Sequence, residues 1–366
     1  MFRRDADGRG PVVAHVVQHL RPGGIESLVL GMIEAEAAGL RQIAVSLDGT
    51  ADAAMAGWPR LRPLAGRLHF MAKPGGLAPA LVPRLARLFR AEGVGVVQTH
   101  HEGPLLYGGP AARLVGARLV HVEHDAWHLA DPRAARRTRL LMRALRPARV
   151  AVSGAVAEAG EAALGLPFRV IGNAVDDARF TPGDRVAARR ALGLPPVGPL
   201  VVAAARLEPV KGIDVLIAAL AHLPGDIRLA IAGDGSRRAE LEAQAAALAP
   251  GRVNFLGRCD DMPALYRAAD VFALPSRHEG LPLALLEAQS CGCPAVAADV
   301  GAVAGALDPA TGRLVPPEAP GALAAALAEV LAGGAETAGA PRAFIRARHS
   351  HAAMLSAYHR IWGLAA

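Results

Sequence analysis

The chain has 366 residues, long for one domain and suited to two. It is 52% hydrophobic, yet no run approaches the roughly 18 uninterrupted apolar residues of a membrane span. The net charge is +7, almost all from arginine, and no aromatic-rich basic stretch or nucleic-acid motif accompanies it, so nucleic acid ranks below anionic ligands and membrane surfaces as a partner.

Cys259, Cys291 and Cys293 make neither a disulfide framework nor a four-ligand zinc set. The charged opening MFRRDADGRG is no secretory signal, so a reduced, cytoplasmic protein is expected. Residues 12–19 (VVAHVVQH) read as a first strand, followed by Arg21-Pro22-Gly23-Gly24 and a helix over 25–38. Glycines between a strand and a helix let a ligand approach the N–H groups of a helix N-terminus, where anions are favoured. The spacing is not GxGxxG, and a tight turn would use the same residues.

Further strands are predicted over 43–47, 68–71, 94–99 and 119–122, with a helix over 78–92. Alternating strands and helices argue a parallel, doubly wound sheet. Two strands end in histidines, His100-His101 and His124 within HVEHD. Histidines are commonly structural, but ligands of open α/β sheets bind outside the carboxyl ends of strands. Over 132–149, Arg136, Arg139, Arg143 and Arg146 recur at spacings of three and four and share one helix face, with Leu140, Leu141, Ala144 and Leu145 as the apolar side. That face is expected either solvated or against an anionic membrane. Strands over 149–152 and 169–171 follow, the second ending at Gly172-Asn173.

A Pro- and Gly-rich connection over 181–199 leads into a second alternating region. Its strands are predicted over 200–204, 228–232 and 253–256, with helices over 213–222 and 263–269. Gly233-Asp234-Gly235 and Gly257-Arg258 close the second and third strands. Lysine occurs only at Lys73 and Lys211 in a chain that otherwise writes its bases as arginine, so a compact point charge is wanted at Lys211. With Arg206 at the strand end it makes a cationic pair beside a helix N-terminus, a place for a diphosphate.

Residues 270–300 organise this half. Val271 to Leu274 is a short buried strand, Ser276 to Gly280 a polar loop, and Pro282 suits the first turn of a helix that stops at Gly292. Glu279 lies in the loop and Glu287 in the helix, seven residues between them. Both could be ordinary surface acids, but Glu287 sits between Leu286 and Ala288, and an acid among core residues needs a partner.

This stretch resembles the E-x7-E signature of the retaining glycosyltransferases of family 4, which have the two-domain GT-B fold. The resemblance implies that Glu279 contacts hydroxyls of the donor sugar and Glu287 the ribose of its nucleotide. Arg206 and Lys211 resemble the family's R-x4-K-G, whose bases grip the diphosphate, and Arg258 falls where the family holds the base. Gly23 and Gly24 resemble its glycine loop, and His124 its histidine near the reacting sugar. Asn173-Ala174-Val175-Asp176 with Phe180 resembles N-G-V-D-x-x-x-F at the domain hinge, with Ala174 where glycine is common. Thr311-Gly312-Arg313-Leu314-Val315 resembles T-G-x-L-V. After Gly301 the family usually has a second glycine and then a glutamate; this chain has Ala302 and Gly305. The helix over 341–362 resembles the GT-B helix that crosses back to the first domain.

The resemblance thus implies an α/β, GT-B protein of two Rossmann-like doubly wound domains facing across a cleft. It implies an acceptor-side domain over 1–172, a donor domain over 173–345 and a returning helix over 346–366. The implied activity is retaining transfer of a sugar from a UDP- or GDP-linked donor to a glycan or lipid-linked acceptor, with polysaccharide synthesis the expected setting. His124, Arg206, Lys211 and Glu279 take the catalytic roles. Gly23, Gly24, Asn173, Gly233, Arg258, Glu279, Gly280, Leu281, Leu283 and Glu287 bind donor. No cofactor and no metal ligands are expected beyond the nucleotide sugar as co-substrate, and membrane contact would be peripheral at the inner face. Two alternatives stay open, a nucleotide-sugar 2-epimerase of similar fold and a catalytically silent nucleotide-sugar sensor.

Overall fold

The computed structural model describes residues 12–35, 40–333 and 340–364. They form two compact units, one running to Asn173 and resuming at Ala352, the other spanning Ala174–His351. Each is an α/β unit around a wholly parallel sheet.

The first sheet contains β1 (Val12–Val17), β2 (Arg41–Ser46), β3 (Leu68–Phe70), β4 (Val94–His100), β5 (Arg118–Glu123), β6 (Ala148–Ala151) and β7 (Arg169–Val170), in the order β3-β2-β1-β4-β5-β6-β7. The second contains β8 (Leu200–Ala204), β9 (Arg228–Ala232), β10 (Val253–Gly257), β11 (Val271–Leu274), β12 (Ala295–Ala298) and β13 (Arg313–Val315), ordered β10-β9-β8-β11-β12-β13. Helices cover both faces, so central strands are buried on both sides and read as unbroken apolar runs: VFAL in β11 and AVAA in β12 are buried throughout. In each sheet the order reverses between the first and fourth strands, β1/β4 and β8/β11. Ligands of doubly wound sheets bind at such a reversal.

Three expectations change. The connection over 181–199 is not a bare linker but holds a helix, Arg185–Ala191, capped by Asp184, whose carboxylate accepts from Ala187 N at 3.0 Å. Arg189 of that helix is buried and pairs with Asp270 at 2.6 Å. Counting prolines and glycines hid an Asp cap followed by good helix formers. The last helix is two, Ala340–Arg348 and His351–Trp362, broken where Ser350 bridges Val175 and the His349 carbonyl accepts from Val175 N at 3.3 Å. The helix expected over 25–38 is Gly24–Glu34, and 36–38 lie outside the described residues.

The four-arginine face also breaks up. Arg136 and Arg143 of the helix Pro132–Leu145 are exposed, but Arg139 donates to the Ala163 carbonyl at 2.5 Å, and Arg146 lies past the helix end with φ 45°. The buried side is made by Ala134, Ala135, Thr138, Met142 and Leu145, while Leu140 and Ala144 face solvent. Among the described residues no helix is long and apolar enough to cross a membrane.

Candidate active site

At the β8/β11 reversal two loops meet through their backbones. Gly212, at the start of the helix Ile213–Leu220, has φ 62°, and a Cβ there would lie 2.0 Å from the Pro275 carbonyl oxygen. Gly301, with φ 58°, would place one 1.8 Å from the carbonyl oxygen of Glu279. Only glycine allows both conformations and both approaches.

Arg277 laces the same loops together. It forks onto Asp214 at 3.0 and 2.8 Å, reaches Glu318 at 2.7 Å, donates to the Pro209 carbonyl, and its backbone N–H meets the Val210 carbonyl at 2.8 Å. Burial opposes the Asp214 charge, but the Arg277 guanidinium outweighs it and holds the carboxyl below its usual range.

Within this frame Lys211 Nζ lies 2.6 Å from Glu279 Oε1, which also accepts from Ser276 Oγ at 2.7 Å. The structure therefore joins Lys211 to Glu279, 68 residues away. The ammonium expected to pair its charge with Arg206 is instead engaged by a carboxylate, while Arg206 is exposed on the loop after β8. A half-buried ammonium in low dielectric takes the nearest anion. Glu287, in the helix Leu283–Ser290, accepts from the phenol of buried Tyr266 at 2.7 Å, which is the partner its setting demanded. Burial first, then the Glu287 charge, pushes the Tyr266 phenol well up, keeping it a donor.

The other residues expected at the donor lie around these. Gly280 accepts from Ala302 N at 3.1 Å, Leu281 is buried, and Leu283 begins the helix that carries Glu287. Gly233 follows β9 and donates to the Gly257 carbonyl at 2.7 Å; Arg258, after Gly257, is exposed. Asn173 is buried at the end of the first unit.

The β1/β4 reversal in the first unit is built from side chains. Gly23 precedes the helix Gly24–Glu34, and a Cβ on it would lie 2.3 Å from Glu26 Oε2. Glu26 is buried and pairs with His19 at 3.2 Å. The helix end expected to greet a ligand's anion thus already faces a carboxylate of its own.

A line of hydrogen bonds crosses four strands. Gln42 Nε2 donates to the Met32 carbonyl at 2.7 Å, so the amide oxygen faces His15 Nε2 at 2.9 Å. His15 must then carry its proton on Nε2 and offer Nδ1 to His100 Nε2 at 3.4 Å. His100 in turn offers Nδ1 to His124 Nε2 at 2.9 Å. Burial pushes His15 down to about 4, and burial with the neighbouring imidazoles pushes His100 and His124 well below the usual range. His124 therefore stands as a neutral imidazole with Nδ1 unprotonated.

Beside this line lies a charged cluster. Buried Glu123 faces His101 Nδ1 at 3.2 Å and His121 Nε2 at 3.3 Å, and His121 Nδ1 meets Thr99 Oγ1 at 2.9 Å. Asp125 lies 3.4 Å from His101 Nε2 and 3.2 Å from His128 Nδ1. Burial opposes their charge, but Glu123 and Asp125 prevail at His101, and Asp125 with Glu123 at His128, so both imidazoles are raised. Glu123, despite burial, is held far below the carboxylate range by His101 and His121. His101 adopts φ 70°, ψ 175°, a backbone region that only glycine visits freely.

Sequence reasoning singled out His124 and ranked His100 and His101 below it; His15, Gln42, Glu26, His121, Glu123, Asp125 and His128 were missed. One signal was available: His121 and Glu123 are two apart on a strand and share a face.

Two family models match, Glycosyltransferase Family 4 over residues 7–179 and Glycosyl transferases group 1 over 184–347. The chain belongs to this glycosyltransferase family. Its fold is GT-B, that of the Anabaena protein HepE solved with UDP and glucose, at TM-score 0.82 and 23% identity over 96% of this chain and 99% of that one. Sucrose-phosphate synthase from Thermosynechococcus elongatus gives TM-score 0.78 at 21% identity, covering 97% of this chain and 98% of its own. Among curated relatives, D-inositol 3-phosphate glycosyltransferase from Mycolicibacterium gilvum is 39% identical over 201 residues, 52% of this chain. The match spans 44% of that relative, under half its length.

Proposed function

We propose that the chain transfers a sugar from a UDP- or GDP-linked donor to a glycan or lipid-linked acceptor, with anomeric configuration retained. The observation that carries the reading is the meeting of Lys211, Ser276 and Glu279 at the β8/β11 reversal, where glycine brings two backbones together. In this reading Glu279 accepts hydroxyls of a sugar, and Lys211 with Arg206 neutralises the departing diphosphate. Charge grows on that phosphate as the bond breaks, so cations there stabilise the transition state more than the bound donor. Glu287, steadied by Tyr266, is placed to take a ribose. The neutral His124, its tautomer set from Gln42, can accept a hydrogen bond from an acceptor hydroxyl. That HepE was solved with UDP and with UDP-glucose supports a nucleotide-sugar donor and puts UDP-sugars first in the test.

The test is incubation with UDP- and GDP-sugars plus simple glycan acceptors, following released nucleoside diphosphate and the anomeric configuration of the product by NMR. Diphosphate release with a retained linkage supports the reading. Donor converted to its 2-epimer without acceptor would replace it with an epimerase, and binding without turnover would leave a sensor.

A further inference from the structure

We propose that His101, Asp125 and His128 form a site for one zinc ion, beyond the transfer reading above. The three come from the loops that end β4 and β5, and one ligand atom of each lies within 4.8 Å of the other two. Among the described residues this is the group of such side chains close enough to share an ion. The Asp125 carboxylate lies 3.4 Å from His101 Nε2 and 3.2 Å from His128 Nδ1. Around zinc, with bonds of about 2.0–2.1 Å, neighbouring tetrahedral ligands lie about 3.3 Å apart. The two distances, one to each Asp125 oxygen, lie near that spacing, and the three ligand atoms stay within 4.8 Å of one another.

The nitrogen of His101 turned away from the site meets buried Glu123 Oε1 at 3.2 Å. The same oxygen lies 3.6 Å from His128 Nε2, which is buried without a hydrogen bond and within a small shift of that acceptor. Metal-ligating histidines almost always give that nitrogen's proton to such an acceptor, which fixes the tautomer and aims the other lone pair at the ion. His101 moreover holds its place at φ 70°, where glycine would sit without strain, so the side chain is what the position requires.

The donor set is two imidazoles and one carboxylate, which suits zinc and its transition-metal neighbours rather than magnesium or calcium. The three side chains are only partly covered, at 29%, 15% and 23% exposure. A three-ligand site open to solvent keeps a coordination position for water or a ligand oxygen.

The test uses the full chain, purified without metal-affinity resin and treated with a chelator. Zinc is titrated by calorimetry, and cobalt(II) by its visible absorption. The expected result is one equivalent bound with micromolar or tighter affinity and a cobalt spectrum of low coordination number. Affinity should fall at least 100-fold in His128→Ala and Asp125→Asn, and about 10- to 100-fold in Glu123→Gln, while His222→Ala and His278→Ala bind as wild type. His128→Gln, on a half-buried turn, replaces any variant that fails to fold. Zinc no tighter than millimolar, magnesium bound as well as zinc, or zinc affinity unchanged in His128→Gln would overturn the site.

Discussion

The two sheets share a strand order but build their reversal points from different material. At β8/β11 the loops meet through backbone, with glycines at 212 and 301 where any side chain would strike a carbonyl, and Arg277 laces that frame through Asp214 and Glu318. At β1/β4 the backbone leaves room and side chains do the positioning, in a line from Gln42 through His15 and His100 to His124. In the proposed transfer the first kind of site would hold the phosphate and the sugar, and the second would fix the position of a proton. The frame at β8/β11 cannot lose its glycines, whereas the side-chain line depends on every member.

The largest effect expected is at Lys211. If it stabilises the departing diphosphate, Lys211→Ala lowers kcat by ~10²–10³, as does loss of one donor to a developing oxyanion, with a smaller loss of donor affinity. Lys211→Arg should not fully rescue, because a planar fork replaces a compact ammonium. Single-turnover rates at saturating donor decide; an unchanged kcat with raised KM would show uniform binding and remove the catalytic role.

The acids of the same frame should separate next. Glu287→Ala should weaken free nucleoside diphosphate and donor alike, by about 10- to 100-fold for loss of a charged hydrogen bond. Glu279→Ala should spare the free nucleotide and weaken only the sugar-bearing donor. Calorimetry with UDP against UDP-sugar reads this directly, and equal losses of UDP affinity in both variants would sink the division.

In the side-chain site, Gln42→Leu strips His15 of its acceptor and strands the Met32 carbonyl. It should cost about 1–3 kcal/mol of stability and also lower activity, since the tautomer of His124 is no longer set from below. If urea unfolding of the variant matches wild type, the hydrogen-bond line is decorative and the contrast between the two sites fails.

The smallest effect concerns Asp214. Its carboxyl is held below the usual range by Arg277, so as pH falls the unfolded chain takes up its proton first. The contribution is complete above the ordinary aspartate value of about 3.9 and is lost as pH falls below it. The loss should be of order 1 kcal/mol, typical of a partly exposed pair. Urea midpoints between pH 5 and pH 3 should drop less in Asp214→Asn than in wild type; identical slopes would show that Arg277 does not hold the loops through Asp214.

The same contrast explains what the sequence could reveal. β8, β9 and β11 are legible to the residue because each is an apolar run bounded by loop residues. The Glu279 loop and its glycines lie within one short stretch, so their chemistry could be read along the chain. The imidazole line draws on β1, β2, β4 and β5, and its contacts depend on register, such as Thr99 opposite His121, which no single stretch encodes. Lys211 meeting Glu279 was hidden for the same reason, since the two are 68 residues apart. The break before His351 was hidden because an Ala- and Arg-rich sequence reads as one helix until Ser350 is seen to bridge Val175.

The helix His351–Trp362 has a consequence for how the protein is made. Trp362 is buried within the first unit, donates to Gln98 Oε1 at 2.8 Å, and packs edge-on to His15 with ring centroids 5.9 Å apart. Residue 362 follows residue 173 by 189 positions, which the ribosome adds in roughly 10–40 s at about 5–20 residues per second. Through that interval the emerging first unit lacks the indole that packs on His15 and donates to the Gln98 amide oxygen. The unit synthesised first is the one completed last.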